Sequence, residues 1–351
     1  MDAKLLWADV PDQLLMANCV DQFDLASIET LWVWNGSDWE ELSNDGPPAN
    51  VVTGFGWDPD RDVLVRYGGI PLPKQDCSAA TWEWDMTAWR EIEAVPAEAC
   101  DHIELAWDPS VGRMLLVGGG RAQDLASGTW ALEGTRWTAL TDDGPAPRAH
   151  HGLATDETNG RVLLYGGLDN SQLFDDLWAW DGSAWEDIGV GGSGPGRRSH
   201  HGFAVGPAGA LLFGGATSTS TFDSLVDDTW LLVDGSWSQI EGPGPTARGL
   251  PALGYDPDRD VFVLFPALRY CRGGQDQCHY GERLVAGDSR RDAAGNLPAH
   301  GEVEPEGVLV ARPLEPRHAS LLGPAYGVLE HRSTEPVTDA IWLEVELLDL
   351  G

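Results

Sequence analysis

The sequence predicts an all-β chain built as one domain from seven similar units, and three regularities in its 351 residues carry that prediction. A Trp stands seven positions after another Trp in five places: Trp32 and Trp39, Trp82 and Trp89, Trp130 and Trp137, Trp178 and Trp185, Trp230 and Trp237. Upstream of the last four pairs a β-rich run ends in a glycine doublet: Val65-Arg66-Tyr67-Gly68-Gly69, Leu116-Val117-Gly118-Gly119, Leu164-Tyr165-Gly166-Gly167 and Leu212-Phe213-Gly214-Gly215. A first-strand register runs through Trp7, Trp57, Trp107, Thr155, Val205 and Tyr255 at steps of 48 to 50, and reaches Gly323 after a long insertion. Self-similarity at such a period marks stacked supersecondary units. The apolar runs, such as Met114-Leu115-Leu116-Val117, have strand length, and Gly and Pro punctuate the joins.

The doublet closing a second strand and the later aromatic pair resemble the kelch repeat family. The resemblance covers nearly the whole chain and is strongest in units two to five. It implies a single β-propeller with one four-stranded blade per unit. The expected blades are 3–48, 50–97, 100–147, 149–197, 199–247, a divergent 249–316 with a long insertion, and 317–351. One ring can hold a chain of this length, because each blade packs mainly on its neighbours.

Taken in order, unit one shows Leu31-Trp32-Val33-Trp34 as its third strand, with Asn18-Cys19 where the doublet would be. Its turn Asn35-Gly36 recurs as Asp181-Gly182 and Asp234-Gly235, residues that supply the positive φ of tight hairpins. The turns between first and second strands are as short, as in Asp58-Pro59-Asp60-Arg61-Asp62, so one face should be clipped and acidic. The other connections vary in length and should form the loop-rich face, where recognition residues concentrate. Unit six has Pro266-Ala267 in place of the doublet. An irregular excursion over 269–316 follows, with Gly307-Val308-Leu309-Val310 read as an outer strand. Unit seven starts near His318 and includes Ile341-Trp342-Leu343-Glu344-Val345.

The net charge of −34 argues against nucleic acid and anionic membranes as partners. No apolar run is long enough to cross a membrane as a helix, and the start, Met1 to Trp7, reads as strand rather than signal peptide. Five cysteines allow Cys271 with Cys278 and Cys77 with Cys100 as disulfides, which favours an extracytoplasmic location.

In a propeller the first strand lines the axis, so residues just before it should meet at the channel mouth. Five positions before the first-strand marker stand His102, His150, His200 and His318, with Val52 and Leu250 in the other units. Seven positions before it stand Arg148, Arg198 and Arg248, and Arg317 falls one place later in unit seven. Such a cationic, imidazole-lined mouth would suit a carboxylate-bearing ligand; alternatively, the Arg and His of kelch-like entries satisfy neighbouring carbonyls. Some kelch propellers are copper oxidases, but the ligand set of that class is missing: the only His-Tyr adjacency, His279-Tyr280, has the reversed order. No metal is expected at the histidines. Calcium is the one cofactor admitted, at Asp175-Asp176 or Asp227-Asp228. The expected function is a monomeric, non-catalytic binding module for a protein, peptide or glycan. The alternative is a metal-dependent carbohydrate-active enzyme, an oxidase or a lyase.

Overall fold

The computed structural model describes residues 4–265 apart from short segments (10–11, 18–29, 35–38, 44–45, 49, 72–75, 93–98, 122–123, 190–193, 220–223 and 243). Beyond these it describes Leu268–Arg269, Leu309–Arg312, Val328–His331 and Leu343–Glu346. No helix occurs among the described residues. Five four-stranded antiparallel sheets follow one another in a β-propeller arrangement. Blade one comprises Lys4–Ala8, Gln13–Ala17, Leu31–Trp34 and Trp39–Ser43; blade two Gly54–Asp58, Val63–Tyr67, Thr81–Trp84 and Trp89–Ile92. Blade three comprises Glu104–Asp108, Arg113–Val117, Thr129–Glu133 and Arg136–Thr141; blade four Gly152–Asp156, Arg161–Tyr165, Leu177–Trp180 and Trp185–Asp187. Blade five comprises Gly202–Gly206, Gly209–Phe213, Thr229–Val233 and Ser236–Ile240.

A strand inside such a ring is covered on both faces by neighbouring blades, so it reads as continuously apolar instead of alternating. Met114–Val117 and Val162–Tyr165 are buried at every position. The apolar residues therefore do not form one core. They form a cluster at each seam: Leu15, Leu31 and Phe55 between blades one and two, Tyr67, Leu105 and Trp137 between two and three, Val117, Leu164 and Trp180 between three and four. Leu163, Leu212 and Trp237 fill the seam between four and five.

Two further clusters close the circle. Leu211 and Phe213 of blade five pack on Leu253 and Leu264, and Leu5, Leu14 and Trp34 of blade one pack on Ala252, Val261 and Val263. Strands Ala252–Asp256 and Val261–Phe265 thus begin a sixth sheet that meets both its neighbours. This sheet departs from the repeat. Val261–Phe265 pairs with Leu309–Arg312, which pairs in parallel with Leu343–Glu346, and Val328–His331 takes the far edge.

Seven blades were expected; five regular ones are seen, and the strands assigned to a seventh unit belong to the sixth sheet. The reason is local: unit seven was counted on a first-strand register carried past the long insertion to Gly323, where apolar runs occur with neither a doublet nor a Trp pair, and such runs suit an added outer strand as well as a new blade. The outer strand expected near Leu309 does pair with Val261–Phe265.

Candidate binding site at the propeller axis

From blade two to the sixth sheet, the entry segment before the inner strand pairs with the residues just after the second strand of the same blade. Asn50–Val51 pairs with Ile70–Pro71, and Arg248–Gly249 with Leu268–Arg269. Asp101, Ala149 and Ser199 bridge Gly120, Leu168 and Ala216 in the same way. These ladders form a collar at one end of the ring. The second glycine of each doublet joins the collar to the next blade: Gly69 N donates to Cys100 O at 2.7 Å, and Gly119, Gly167 and Gly215 donate to Arg148, Arg198 and Arg248 carbonyls at 2.9 Å. The doublet has to be glycine, since Gly166 sits at φ 62° and a Cβ there would stand 2.7 Å from Arg198 O.

The entry arginines are placed differently from the expectation. Arg148 and Arg198 are buried, and their guanidinium groups point into their own blades. Arg148 donates to both carboxylate oxygens of Asp176, at 2.6 and 2.8 Å, and to Gly166 O at 2.8 Å, with Phe174 stacked over it. Arg198 repeats this with Asp228, at 2.8 and 2.9 Å, and Gly214 O at 2.9 Å. Burial works against ionisation of Asp176 and Asp228, but the hydrogen-bonded arginine in each case outweighs it and holds the carboxyl below its ordinary range. Asn50 Nδ2 does the same job in blade two, donating to Gly68 O at 2.9 Å. Arg248 is also buried and donates to Thr246 O at 2.9 Å. These side chains hold the collar together, and the two bidentate pairs leave no free cationic lining at Arg148 and Arg198. Asp176 and Asp228, weighed above for calcium, spend their oxygens on arginine and on the indoles of Trp178 and Trp230, each at 2.7 Å.

The histidines are brought together. His102, His150 and His200 come from three consecutive blades and meet around a cavity of about 90 Å³ on the axis, which Val52 and Leu250 also line. The ring centroids of His102 and His150 lie 4.5 Å apart edge to face, and those of His150 and His200 lie 3.7 Å apart, nearly parallel. His102 Nδ1 faces Asp101 Oδ1 at 3.2 Å, and His200 Nδ1 faces Ser199 Oγ at 2.8 Å. The backbone reinforces the contact: His200 N donates to His150 O at 3.0 Å, and Leu250 N to His200 O at 2.7 Å. Burial first, and the neighbouring imidazoles second, push the pKa of His150 well below its usual value and that of His200 down to about 4.

Deeper in the same cavity lie features the sequence reading passed over. Lys4 reaches from blade one to Glu104 of blade three, with its Nζ 2.6 and 2.7 Å from the carboxylate oxygens. Both residues stand three positions before their first-strand marker, and that shared register was the available signal. His151 and His201 are buried, and neither ring nitrogen of either has a hydrogen-bond partner. His151 is wedged against the doublets of blades three and four, and His201 against those of four and five. Burial, then Arg148 or Arg198 nearby, keeps both neutral.

Cys77 and Cys100 are joined by a disulfide that ties the blade-two loop to the entry of blade three. Arg317, His318, Cys271 and Cys278 lie outside the described residues, so their expected roles have no geometry here. Among the described residues, no three His, Cys, Asp or Glu side chains stand as a preset metal cage. Compared with protein-family models and with curated proteins, the chain matches none.

Proposed function

We propose that this chain is a kelch-type propeller that acts as a non-catalytic binding module, recognising a protein, peptide or glycan through its loop-rich face and channel mouth. The glycine doublets, the Trp pairs and the repeat of about 50 residues support the kelch type. One observation carries the binding role: the entry collar, the variable loops and the axial cavity gather at one end of a rigid ring, whereas the other end consists of short turns closed on their own aspartates. Asp58 Oδ1, for instance, accepts from the backbone N of Asp60 and Arg61 at 3.1 Å, and Asp156 Oδ1 from Asn159 N at 3.1 Å. Loops held by a rigid scaffold are the usual place for recognition.

The test is binding of labelled chain to peptide and glycan arrays, repeated with one substitution on each face. Asn170→Arg lies on the blade-four loop, and Val111→Arg on the opposite turn, where Val111 is exposed. Binding lost only with Asn170→Arg supports the assignment. Binding lost only with Val111→Arg overturns it. A metal-dependent carbohydrate-active enzyme is the second reading, favoured by the imidazoles gathered on the axis; turnover of an oligosaccharide would select it.

A further inference from the structure

Five entry residues, Val52, His102, His150, His200 and Leu250, hold left-handed backbone with φ between 53° and 59°. That conformation is unfavourable for a side chain larger than glycine. Here it turns successive peptides towards one another: His102 N donates to Val52 O at 3.1 Å, His200 N to His150 O at 3.0 Å and Leu250 N to His200 O at 2.7 Å. The mouth of the axial cavity is thus a rim held by its own backbone, and each of the five residues keeps part of its surface exposed there. Two residues further along the inner strands, about 7 Å deeper, Lys4 and Glu104 form the ion pair that spans blades one and three. Neither is fully covered: 26% of the Lys4 side chain and 16% of the Glu104 side chain stay accessible, and both line the cavity.

We propose that this cavity is a recognition pocket for a primary carboxamide, which enters through the rim and docks on the Lys4–Glu104 pair. Size, charge and hydrogen-bonding pattern each narrow the guest. A cavity of about 150 Å³ admits benzene, so one of about 90 Å³ takes a smaller group and excludes a sugar ring. A charged guest would compete for one member of the pair and leave the other without its counter-charge. An anion is further repelled by the chain's charge of −34. A net-neutral guest must offer an acceptor to the ammonium and a donor to the carboxylate side by side. A planar carboxamide does so through two atoms, its carbonyl oxygen accepting from Lys4 Nζ and its NH2 donating to Glu104; a hydroxyl has one atom for both.

The wall points to a polar guest as well. His151 and His201 are 3% and 8% exposed, their ring nitrogens have no hydrogen-bond partner, and both residues line this cavity. His201 Nε2 is turned to the inner strand of blade four, 2.9 Å from where a Cβ on Gly152 would stand. Buried polar atoms left unpaired cost free energy that a polar guest recovers. The depth of the ion pair behind the rim suits the side chain of glutamine better than the shorter asparagine. The carboxamide site rests on the cavity alone; a peptide glutamine as its source, in place of a free amide, rests on the binding role proposed above.

The experiment titrates the full chain with acetamide, followed by saturation-transfer NMR, beside acetate and N,N-dimethylacetamide, which carry a charge or lack the N–H donors. Saturable binding of acetamide is expected, with the other two at least about tenfold weaker and with affinity for acetamide at least about tenfold lower in Glu104→Gln. Val111→Arg, on the opposite turn, should leave it unchanged. No approach to saturation by about 0.5 M acetamide overturns the proposal, because a small ligand that fills its site binds more tightly than that. Equal affinity for all three probes overturns it too, as does unchanged affinity in a folded Glu104→Gln. If that variant does not fold, NMR of histidine-labelled chain decides: acetamide must shift the His151 or His201 ring signals, and shifts confined to other histidines overturn the assignment. Competition by glutamine-containing peptides separates the sources. Peptides that displace acetamide assign the site to a partner's glutamine; acetamide binding that no such peptide displaces supports the carboxamide site with a free amide as its guest and counts against the peptide source alone.

Discussion

His200 shows how one side chain's setting becomes a property of stability. Its pKa falls to about 4, with burial the main cause, against about 6.5 for an exposed imidazole. The unfolded chain therefore binds more protons than the folded one between those values, so stability is complete above about pH 6.5 and declines as pH falls towards 4. His150, His151 and His201 are shifted in the same direction and add to the effect. The melting temperature should thus drop steeply between pH 6.5 and pH 4, and His200→Gln should flatten part of that slope. A melting temperature constant over this window would show that these imidazoles are not held neutral. At the same scale, Arg148→Met should cost about 3 kcal/mol, because it removes the buried guanidinium and leaves the Asp176 carboxylate without its charged partner. Chemical denaturation measures it, and the loss should shrink in the Arg148→Met, Asp176→Asn double variant.

At the scale of elements, the third strand of a blade carries two tryptophans with different duties. Trp178 is half-buried and bonded to Asp176, whereas Trp180, two residues on, is fully buried and donates its indole N–H to Asp108 of the preceding blade at 2.8 Å. Trp180→Ala should therefore cost about 3–5 kcal/mol and Trp178→Ala clearly less; equal losses would contradict the seam role of Trp180. The second member of each pair also crosses a seam. Trp137 and Trp185 donate to Thr81 and Thr129 of the blade before, at 3.1 and 2.7 Å. The seven-residue spacing of the pairs thus records a hairpin with one indole on the blade's own third strand and the other on its neighbour.

Across the whole molecule, stability depends on closing the ring. Blade one is made entirely of N-terminal strands, so the seam with the sixth sheet is held by side-chain packing between blades and not by a shared strand. Leu14→Ala at that seam should cost about 2–5 kcal/mol and speed amide exchange in the strands on either side before those of blade three. The Cys77–Cys100 disulfide closes a loop of 23 residues between blades two and three, and its reduction should remove about 3 kcal/mol. An unchanged denaturation midpoint in reductant would show that this link does not constrain the unfolded chain.

What the chain reveals before it is folded is the repeated part. Strand order, the glycine doublets, the Trp pairs and the register that places His102, His150 and His200 alike are local patterns, and each is enforced by backbone geometry or by burial on both faces of a blade. Three matters depend on neighbours far along the chain and were decided only in three dimensions. Apolar runs after residue 308 carry no mark of which sheet they will join, so the count of blades was misjudged. An Arg at a blade entry has the same spelling whether it faces a ligand or an aspartate, and only the position of Asp176 and Asp228 turned Arg148 and Arg198 inward. The imidazoles touch because the ring closes tightly on its axis, a distance set by the packing of six seams and by no single stretch of sequence.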